Sequence, residues 1–376
     1  MCAGAGSAGR SPSLRPRRRP GRSRKPSMRR ILITGGCGFI GTNLVSRLAG
    51  RAASGAVRIR VLDDLSVGTE AALAEAAASG GLAVRRRDAA APSSASGDGD
   101  IDLMVGDIRR RDHCLAATEG IDAVVHLAAH AGVIPSVKDP FHDFEVNAVG
   151  TLNMLDGSVK NGVDRFILAS SNAPMGKAEP PMSEERAPAP LSPYGASKLA
   201  CEGYCSAFHG SYGLRTLSLR FSNLYGPRSL HKNSVVARFI KDAMTKGGLT
   251  VYGDGLQTRD FLHVDDLTGL LGSLVETSGD EGPWGGTVNL GTGRETRIID
   301  LARMVCELAG PHVEIVFEPE RRGELRRNFS DISKARRLLG FEPRIEVGDG
   351  VASVYRWFAS MGAERVAAAP TLSGSE

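Results

Sequence analysis

The stretch RILITGGCGFIG, residues 30–41, opens as a short apolar run and closes on glycines at Gly35, Gly38 and Gly41. An amphipathic segment follows over residues 43–48. The pattern predicts a strand, a tight turn and a helix. Glycines at this spacing suit the turn itself, a close backbone approach to a pyrophosphate and close helix–strand contact. Phe39 and Ile40 open the helix, whose free N–H groups and positive dipole end would face the phosphates. A second apolar run, residues 57–62, ends at Asp63 and Asp64. An acid about 20 residues on, at a strand end, is what ribose binding requires. A carboxylate there repels a 2′-phosphate, so NAD is expected over NADP, with Asp63 on the adenosine ribose and Asp64 beside it.

Working outward, residues 70–78 read as a helix and the Ala/Ser/Gly/Asp-rich remainder to residue 100 as a flexible surface loop. Short apolar runs at 103–106, 123–128 and 165–169 alternate with helical pattern around 143–161. A helix is expected over 194–208 and a strand over 215–221. Strands alternating with helices indicate right-handed crossovers and a parallel sheet. From about Asn223 the rhythm loosens into Gly/Pro punctuation, and helices resume at 265–275, 297–309 and 333–339. The fold class is α/β: a doubly wound parallel Rossmann sheet with a smaller, partly discontinuous α/β substrate domain. The expected division is a disordered basic tail over 1–28 and a nucleotide-binding domain over 29–222. A mainly substrate-binding domain follows over 223–360, with some segments returning to the first, and then a tail over 361–376 whose last dozen residues fray.

The net charge of +5 invites a nucleic-acid reading. Residues 1–28 hold eight of the 47 basic residues and no acid; the other 39 face 42 acids, a balance of −3. The basic excess therefore belongs to a Pro/Arg/Ser-rich tail that cannot bury enough apolar surface to order itself. Met28 stands directly before the first strand, so the tail reads as the product of an upstream start, or else as a basic interaction arm. It lacks the apolar core of a secretory signal. No stretch approaches the ~20 apolar residues of a membrane span. Cys2, Cys37, Cys114, Cys201, Cys205 and Cys306 show no CxxC pair and no His cluster. They read as reduced thiols, with no metal, in a cytoplasmic protein.

Tyr194-Gly195-Ala196-Ser197-Lys198 sets a phenol and an ammonium at i and i+4 on one helix face. A lone phenol keeps its proton at neutral pH; a neighbouring ammonium favours the phenolate. Residues 166–171 end a strand at Ser170-Ser171, and such carboxyl ends line the ligand crevice of a doubly wound sheet. A hydroxyl there can hydrogen-bond a reacting oxygen and relay its proton.

With these residues in view, the chain resembles the extended short-chain dehydrogenase/reductases, specifically the NAD-dependent nucleotide-sugar epimerase/dehydratase family. The resemblance is carried by residues 33–41, VLDDLS at 61–66, Gly106-Asp107-Ile108, HLAAHAGVIPSVKDP at 126–140, NAVGT at 147–151, residues 170–176 and 194–198. It continues through RFSNLYGP at 220–227, YGDGLQTRDFLHVDD at 252–266, NLGTG at 289–293, RRGE at 321–324 and DISKA at 331–335. It implies that Asp107 and Ile108 flank the adenine and that Leu127, Ala128 and Ala129 pass behind the cofactor. Ser171, Tyr194 and Lys198 would form a catalytic trio. Asn223, Arg259, Arg321 and Glu324 would hold a nucleoside diphosphate, with Ser136 near the sugar. Arginines facing a pyrophosphate also make independent sense, since planar forks match phosphate oxygens.

Members that dehydrate place Asp-Glu directly after the catalytic hydroxyl, and related decarboxylases keep a Glu there. Here those positions are Asn172 and Ala173, neither of which titrates, and elimination needs a second acid/base. The remaining fit is reversible 4-epimerisation of a UDP-hexose or UDP-hexuronate, with a homodimer implied by the resemblance and no nucleic-acid or membrane partner. NAPMG at 172–176 departs from the family pattern, in which a small residue, Val and Tyr precede the glycine. Arg228, His231 and Lys232 form a basic loop that could meet a uronate carboxylate or simply face solvent. The rival enzyme readings are a nucleotide-sugar dehydratase, decarboxylase or reductase. A rival of another class is a non-catalytic NAD-sensing protein on the same fold, which the complete trio argues against.

Overall fold

Strand β1 (Arg29–Thr34) buries four residues in succession, Ile31 through Thr34, as a strand covered on both faces must. It lies inside an eight-stranded sheet. Along the chain come α1 (Phe39–Ala53), β2 (Val57–Asp63), α2 (Glu70–Ala78), β3 (Val84–Asp88), β4 (Ile101–Val105), α3 (Arg111–Thr118) and β5 (Ala123–His126). They are followed by α4 (Val133–Lys138), α5 (Pro140–Phe144), a π-helical turn (Glu145–Val149), α6 (Gly150–Lys160), β6 (Arg165–Ser171), α7 (Pro193–Tyr212) and β7 (Arg215–Phe221). The second half holds β8 (Asn223–Tyr225), α8 (Val235–Thr245), β9 (Gly248–Tyr252), β10 (Thr258–Arg259), β11 (Phe261–His263), α9 (Val264–Glu276) and β12 (Thr287–Leu290). It closes with β13 (Thr296–Arg297), α10 (Ile298–Ala309), β14 (Glu314–Glu318), α11 (Ser333–Leu339), α12 (Val347–Met361) and α13 (Ala363–Ala368). The structure is a computed structural model that describes residues 28–89, 100–277, 281–320 and 325–369.

The sheet order is β12-β7-β6-β5-β1-β2-β4-β3, and every pair is parallel. The chain winds away from β1 in both directions, so the order reverses between β1 and β5, where ligands of doubly wound sheets bind. One face buries Ile31, Ile33, Leu44, Leu48, Leu267 and Leu271 under α1 and α9. The other buries Leu32, Val124, Met154, Phe166 and Cys201 under α3, α6 and α7. A third core gathers Phe239, Ile240, Leu249, Leu301, Val351 and Phe358 from the later segments. Each such side chain contributes about 1.5–3 kcal/mol on burial, enough together to hold a second lobe. α9 and β12 leave that lobe and return to the sheet.

Several elements stand where the sequence pattern named none, among them β3, α8 and α12. β3, VRRRD, occupies the stretch expected as loop. Arg87 Nε donates to Asp102 Oδ1 at 2.8 Å and Arg60 Nε to Asp102 Oδ2 at 2.8 Å. This edge strand is held by charge pairing, which leaves no apolar alternation to read. α8 buries Val236, Phe239, Ile240 and Ala243. α12 is a full helix in spite of Gly348 and Gly350. At the C-terminus, α13 replaces part of the expected fraying because Val366 is buried in the third core. The expected N-terminal tail lies, Met28 apart, outside the described residues, as do residues 370–376. Among the described residues no helix is long and apolar enough to cross a membrane, and no cluster of His, Cys, Asp or Glu could hold a metal ion.

Candidate active site

Gly35 leaves β1 with φ of +65°, and a Cβ there would lie 2.7 Å from the Ala128 backbone nitrogen. A Cβ on Gly41 would lie 2.4 Å from Gly36 Cα. Both positions need glycine for backbone reasons. α1 starts from Gly38 with no side-chain cap and no acid in its first turn. Its opening N–H groups are therefore available to an anion. The Asp63 carboxylate accepts from the N–H of Cys37 at 2.9 Å and of Leu65 at 2.9 Å. Burial pushes its pKa up, and those two donors pull against the rise. Both oxygens keep lone-pair capacity for ribose hydroxyls. This combination of crowded glycines, uncapped helix and buried acid fits a dinucleotide.

Asp64 is exposed and accepts from the Ser66 N–H at 3.0 Å and the Ser66 hydroxyl at 2.6 Å, so it closes a surface turn. Burial would raise the Asp107 carboxyl, but Arg109, bonded through Nε at 2.8 Å, holds it below the usual carboxylate range. Ile108 is buried, and its carbonyl accepts from Asn153 Nδ2 at 3.0 Å. Leu127 and Ala128 donate their N–H groups to Thr34 Oγ1, each at 3.2 Å, and Ala129 follows half-buried. The segment expected behind the cofactor is thus laced to the end of β1.

Ser192 caps α7 by accepting the Gly195 N–H at 3.1 Å, and Pro193 fits the first helical position. Tyr194 therefore sits in the first turn. A Cβ on Gly195 would lie 2.6 Å from the Ala173 carbonyl oxygen, so glycine lets the helix press against the turn after β6. Lys198 is 4% exposed; its Nζ lies 5.9 Å from the Tyr194 ring centroid and donates to the Ala169 carbonyl at 3.0 Å. Ser171 Oγ accepts the Ala173 N–H at 3.2 Å. With its oxygen used as acceptor, its hydrogen is left to point at a ligand oxygen. α7 thus carries Tyr194 and Lys198 against the end of β6, the strand that closes on Ser171.

Two buried networks support this trio. Thr34 Oγ1 accepts two backbone N–H groups, so its own proton goes to His126 Nδ1 at 2.7 Å. The neutral ring then donates through Nε2 to Thr151 at 3.1 Å, Thr151 to Cys201 Sγ at 3.3 Å, and Cys201 to the Asn147 carbonyl at 3.2 Å. Burial, aided by Lys198, pushes His126 down to about 3. Next to it, Arg220 forks onto Glu202 at 2.8 and 2.6 Å, while Glu202 Oε1 also accepts from Ser170 at 2.6 Å and Arg220 Nη1 lies 2.9 Å from Met175 Sδ. Burial pushes the thiols of Cys37, Cys114, Cys201 and Cys205 up, so none is a ready nucleophile.

The expected substrate residues are more scattered in their engagements. Ser136 is fully buried and donates to the Val133 carbonyl at 2.7 Å. Asn223 is exposed on β8 with Nδ2 on the Asp260 carbonyl at 3.2 Å. Arg259 Nη1 donates to the carbonyls of Thr258 at 2.8 Å and Leu325 at 2.7 Å. Arg321 and Glu324 lie outside the described residues. Arg228 reaches Glu75 on α2 at 3.1 Å, an engagement its place in a basic loop did not announce.

Sequence reasoning passed over Asp260. Fully buried, it accepts from Thr292 N and Oγ1, both 2.7 Å, Ser222 Oγ at 3.1 Å, Gly293 N at 3.2 Å and Ser330 N at 3.3 Å. Asn172, in the acid's place, donates to Ser330 Oγ at 3.0 Å. Asp260 lay inside a quoted motif, but its partners are 32 to 70 residues away and only the fold unites them.

Comparison with known proteins agrees with this geometry. The family described as "NAD dependent epimerase/dehydratase family" matches residues 31–291, and its description names the cofactor expected from Asp63 and the glycine turn. The chain is 30% identical over 332 residues to the "Putative UDP-glucose 4-epimerase" of Methanocaldococcus jannaschii, covering 87% of this chain and 97% of that one. It is 33% identical over 330 residues to the "dTDP-glucose 4,6-dehydratase" of Streptomyces griseus, covering 87% and 93%. The crystal structure of UDP-glucose 4-epimerase with UDP-glucose from Thermotoga maritima superposes with a TM-score of 0.74 at 30% identity, over 88% of this chain and 99% of that one.

Proposed function

The chain belongs to the NAD-dependent epimerase/dehydratase family, and we propose that within it the protein is a 4-epimerase of a UDP-hexose or UDP-hexuronate. The observation that carries the reading is the turn after β6. Ser171 Oγ accepts the Ala173 N–H at the end of β6, Lys198 lies over the Tyr194 ring on α7, and the two residues after Ser171, Asn172 and Ala173, cannot exchange protons. A site with one acid/base pair suits reversible oxidation; elimination of water would require a second. Asn172 is moreover committed to Ser330.

Bound NAD supplies a hydride acceptor and donor. The chain's own residues do the rest. The Tyr194 oxygen takes the proton from the sugar 4-hydroxyl, and Ser171 hydrogen-bonds the same oxygen. Lys198, pinned by the Ala169 carbonyl, keeps its ammonium over the Tyr194 ring. The resulting 4-keto sugar turns over within its pocket, and Tyr194 returns the proton when the 4-hydroxyl is re-formed on the other face. Arg259 and Arg321 are the proposed diphosphate ligands, with Asn223 and Glu324 on the nucleoside, and their grip lets the sugar turn without leaving. We further propose a cytoplasmic homodimer. Phe144 and Tyr204, large apolar side chains exposed at the α5–α7 surface, support such a contact, and light scattering checks it.

The test is incubation of purified protein with UDP-glucose, UDP-glucuronate and UDP-N-acetylglucosamine, with products identified by NMR and mass. A 4-epimer of unchanged mass, formed without added reductant, is expected from one of the first two. Loss of water or carbon dioxide overturns the reading. Tyr194→Phe is expected to slow turnover at least about 100-fold, the usual scale of positioned proton transfer.

A further inference from the structure

Between β8 and α8 the chain crosses from the sheet to the second lobe as a strap, residues 226–232. It is fastened at both ends. Asn43 on α1 donates to the Pro227 carbonyl at 3.0 Å, and Arg228 pairs with Glu75 on α2 at 3.1 Å. From the other lobe, Lys241 on α8 donates to the carbonyls of Leu230 at 3.3 Å and Lys232 at 2.6 Å. These ties bring the Lys232 ammonium to 4.9 Å from the ring centroid of Phe39, the first residue of α1. Among the described residues no carboxylate pairs with it. Burial pushes Lys232 down to about 8, and His231 beside it down to about 4, so the histidine adds no charge at neutrality.

A partly desolvated ammonium without an anion is costly, and an aromatic face offsets only part of that cost. The position explains it. The same residue that meets Lys232 opens the uncapped helix behind the glycine turn, where N–H groups already await an anion. We propose that Lys232, carried on the strap, is a diphosphate-binding residue that completes the anion site begun by the N-terminus of α1. The inference rests on the proposed function, since it needs a dinucleotide or a nucleotide-sugar in the cleft. Both ligands carry a diphosphate. The shared helix end favours the dinucleotide. A strap tied to both lobes would then also have to lift before NAD could leave.

The full-length protein is used for the test, as wild type, Lys232→Met and Lys232→Arg. NAD dissociation is measured by stopped-flow dilution, NAD carried through purification by release in acid, and UDP affinity by calorimetry. Lys232→Met is expected to speed NAD release about tenfold or more, the scale of one charge-assisted hydrogen bond, while Lys232→Arg stays within a few-fold of wild type. A tenfold loss confined to UDP assigns the lysine to the substrate's diphosphate and keeps the shared chemistry. Unchanged NAD release and unchanged UDP affinity overturn the inference and leave the proposed reaction standing. A wild type that binds neither ligand overturns both. The ligand-free melting temperature of Lys232→Met should match or exceed wild type, because a partly buried charge without a counter-ion has gone; a lower one with ligand binding intact marks Lys232 as structural and overturns the inference.

Discussion

Just beyond Lys198, helix α7 buries two consecutive residues in opposite company. Cys201 belongs to a relay of neutral donors that begins at the close of β1, whereas Glu202 faces the charged fork of Arg220, which also touches Met175. Both networks brace the same trio, but they answer different demands. In the relay every donor finds one acceptor without net charge. Beneath Met175 a full ion pair is desolvated, which is worth little when intact and is expensive to break. The first network is neutral throughout, and the second rests on opposite charges.

The comparison can be broken most severely on the charged side. Glu202→Ala leaves Arg220, 3% exposed, without its counter-ion, and a loss of about 3–5 kcal/mol in urea-unfolding stability is expected. Replacing both partners by Met should recover most of that loss, which separates the cost of an orphaned charge from the value of the pair. The neutral side is probed by pH. His126 titrates near about 3 when folded and near about 6.5 when unfolded, so between these values only the unfolded chain takes up the proton. Stability is therefore expected to be whole above pH ~6.5 and to fall by about 1.4 kcal/mol per pH unit below it, roughly 2 kcal/mol by pH 5. His231 contributes in the same direction, so the check is His126→Gln, which should flatten the slope, together with imidazole NMR shifts that stay neutral to pH 4. The smallest effect is Thr151→Val, which removes one link of the relay; about 1–3 kcal/mol is expected, with NAD affinity nearly unchanged.

The same division governs what could be read from the sequence. On the cofactor side the demands are local: Gly35 and Gly41 are required by backbone crowding within a few residues, and Asp63 ends the next strand. Fixed spacing encodes such geometry, so the turn, the parallel sheet and the acid were all legible. The shared helix of Tyr194 and Lys198 was legible for a similar reason, since four residues separate them. On the sugar side the partners are remote. Nothing near Asp260 in the sequence announces Thr292 or Ser330, and nothing near Arg228 announces Glu75. β3 escaped notice because its strand character rests on arginines that pair with Asp100 and Asp102 across the sheet, not on alternating apolar residues. α8 carries a plain i, i+3, i+4, i+7 apolar row in Val236, Phe239, Ile240 and Ala243 that went unread, whereas the glycines at 348 and 350 weaken the helix signal at the start of α12.

Asp260 also sets the order in which this protein can be completed on the ribosome. Its carboxylate gathers Ser222, Thr292, Gly293 and Ser330, and the last of these is made 70 residues after the aspartate itself. A nascent chain can wind β1 through β7 and form its glycine turn well before that knot closes. The glycine turn is thus synthesised long before the knot's last residue, and the segments that the carboxylate gathers can be tied together only once Ser330 has been made.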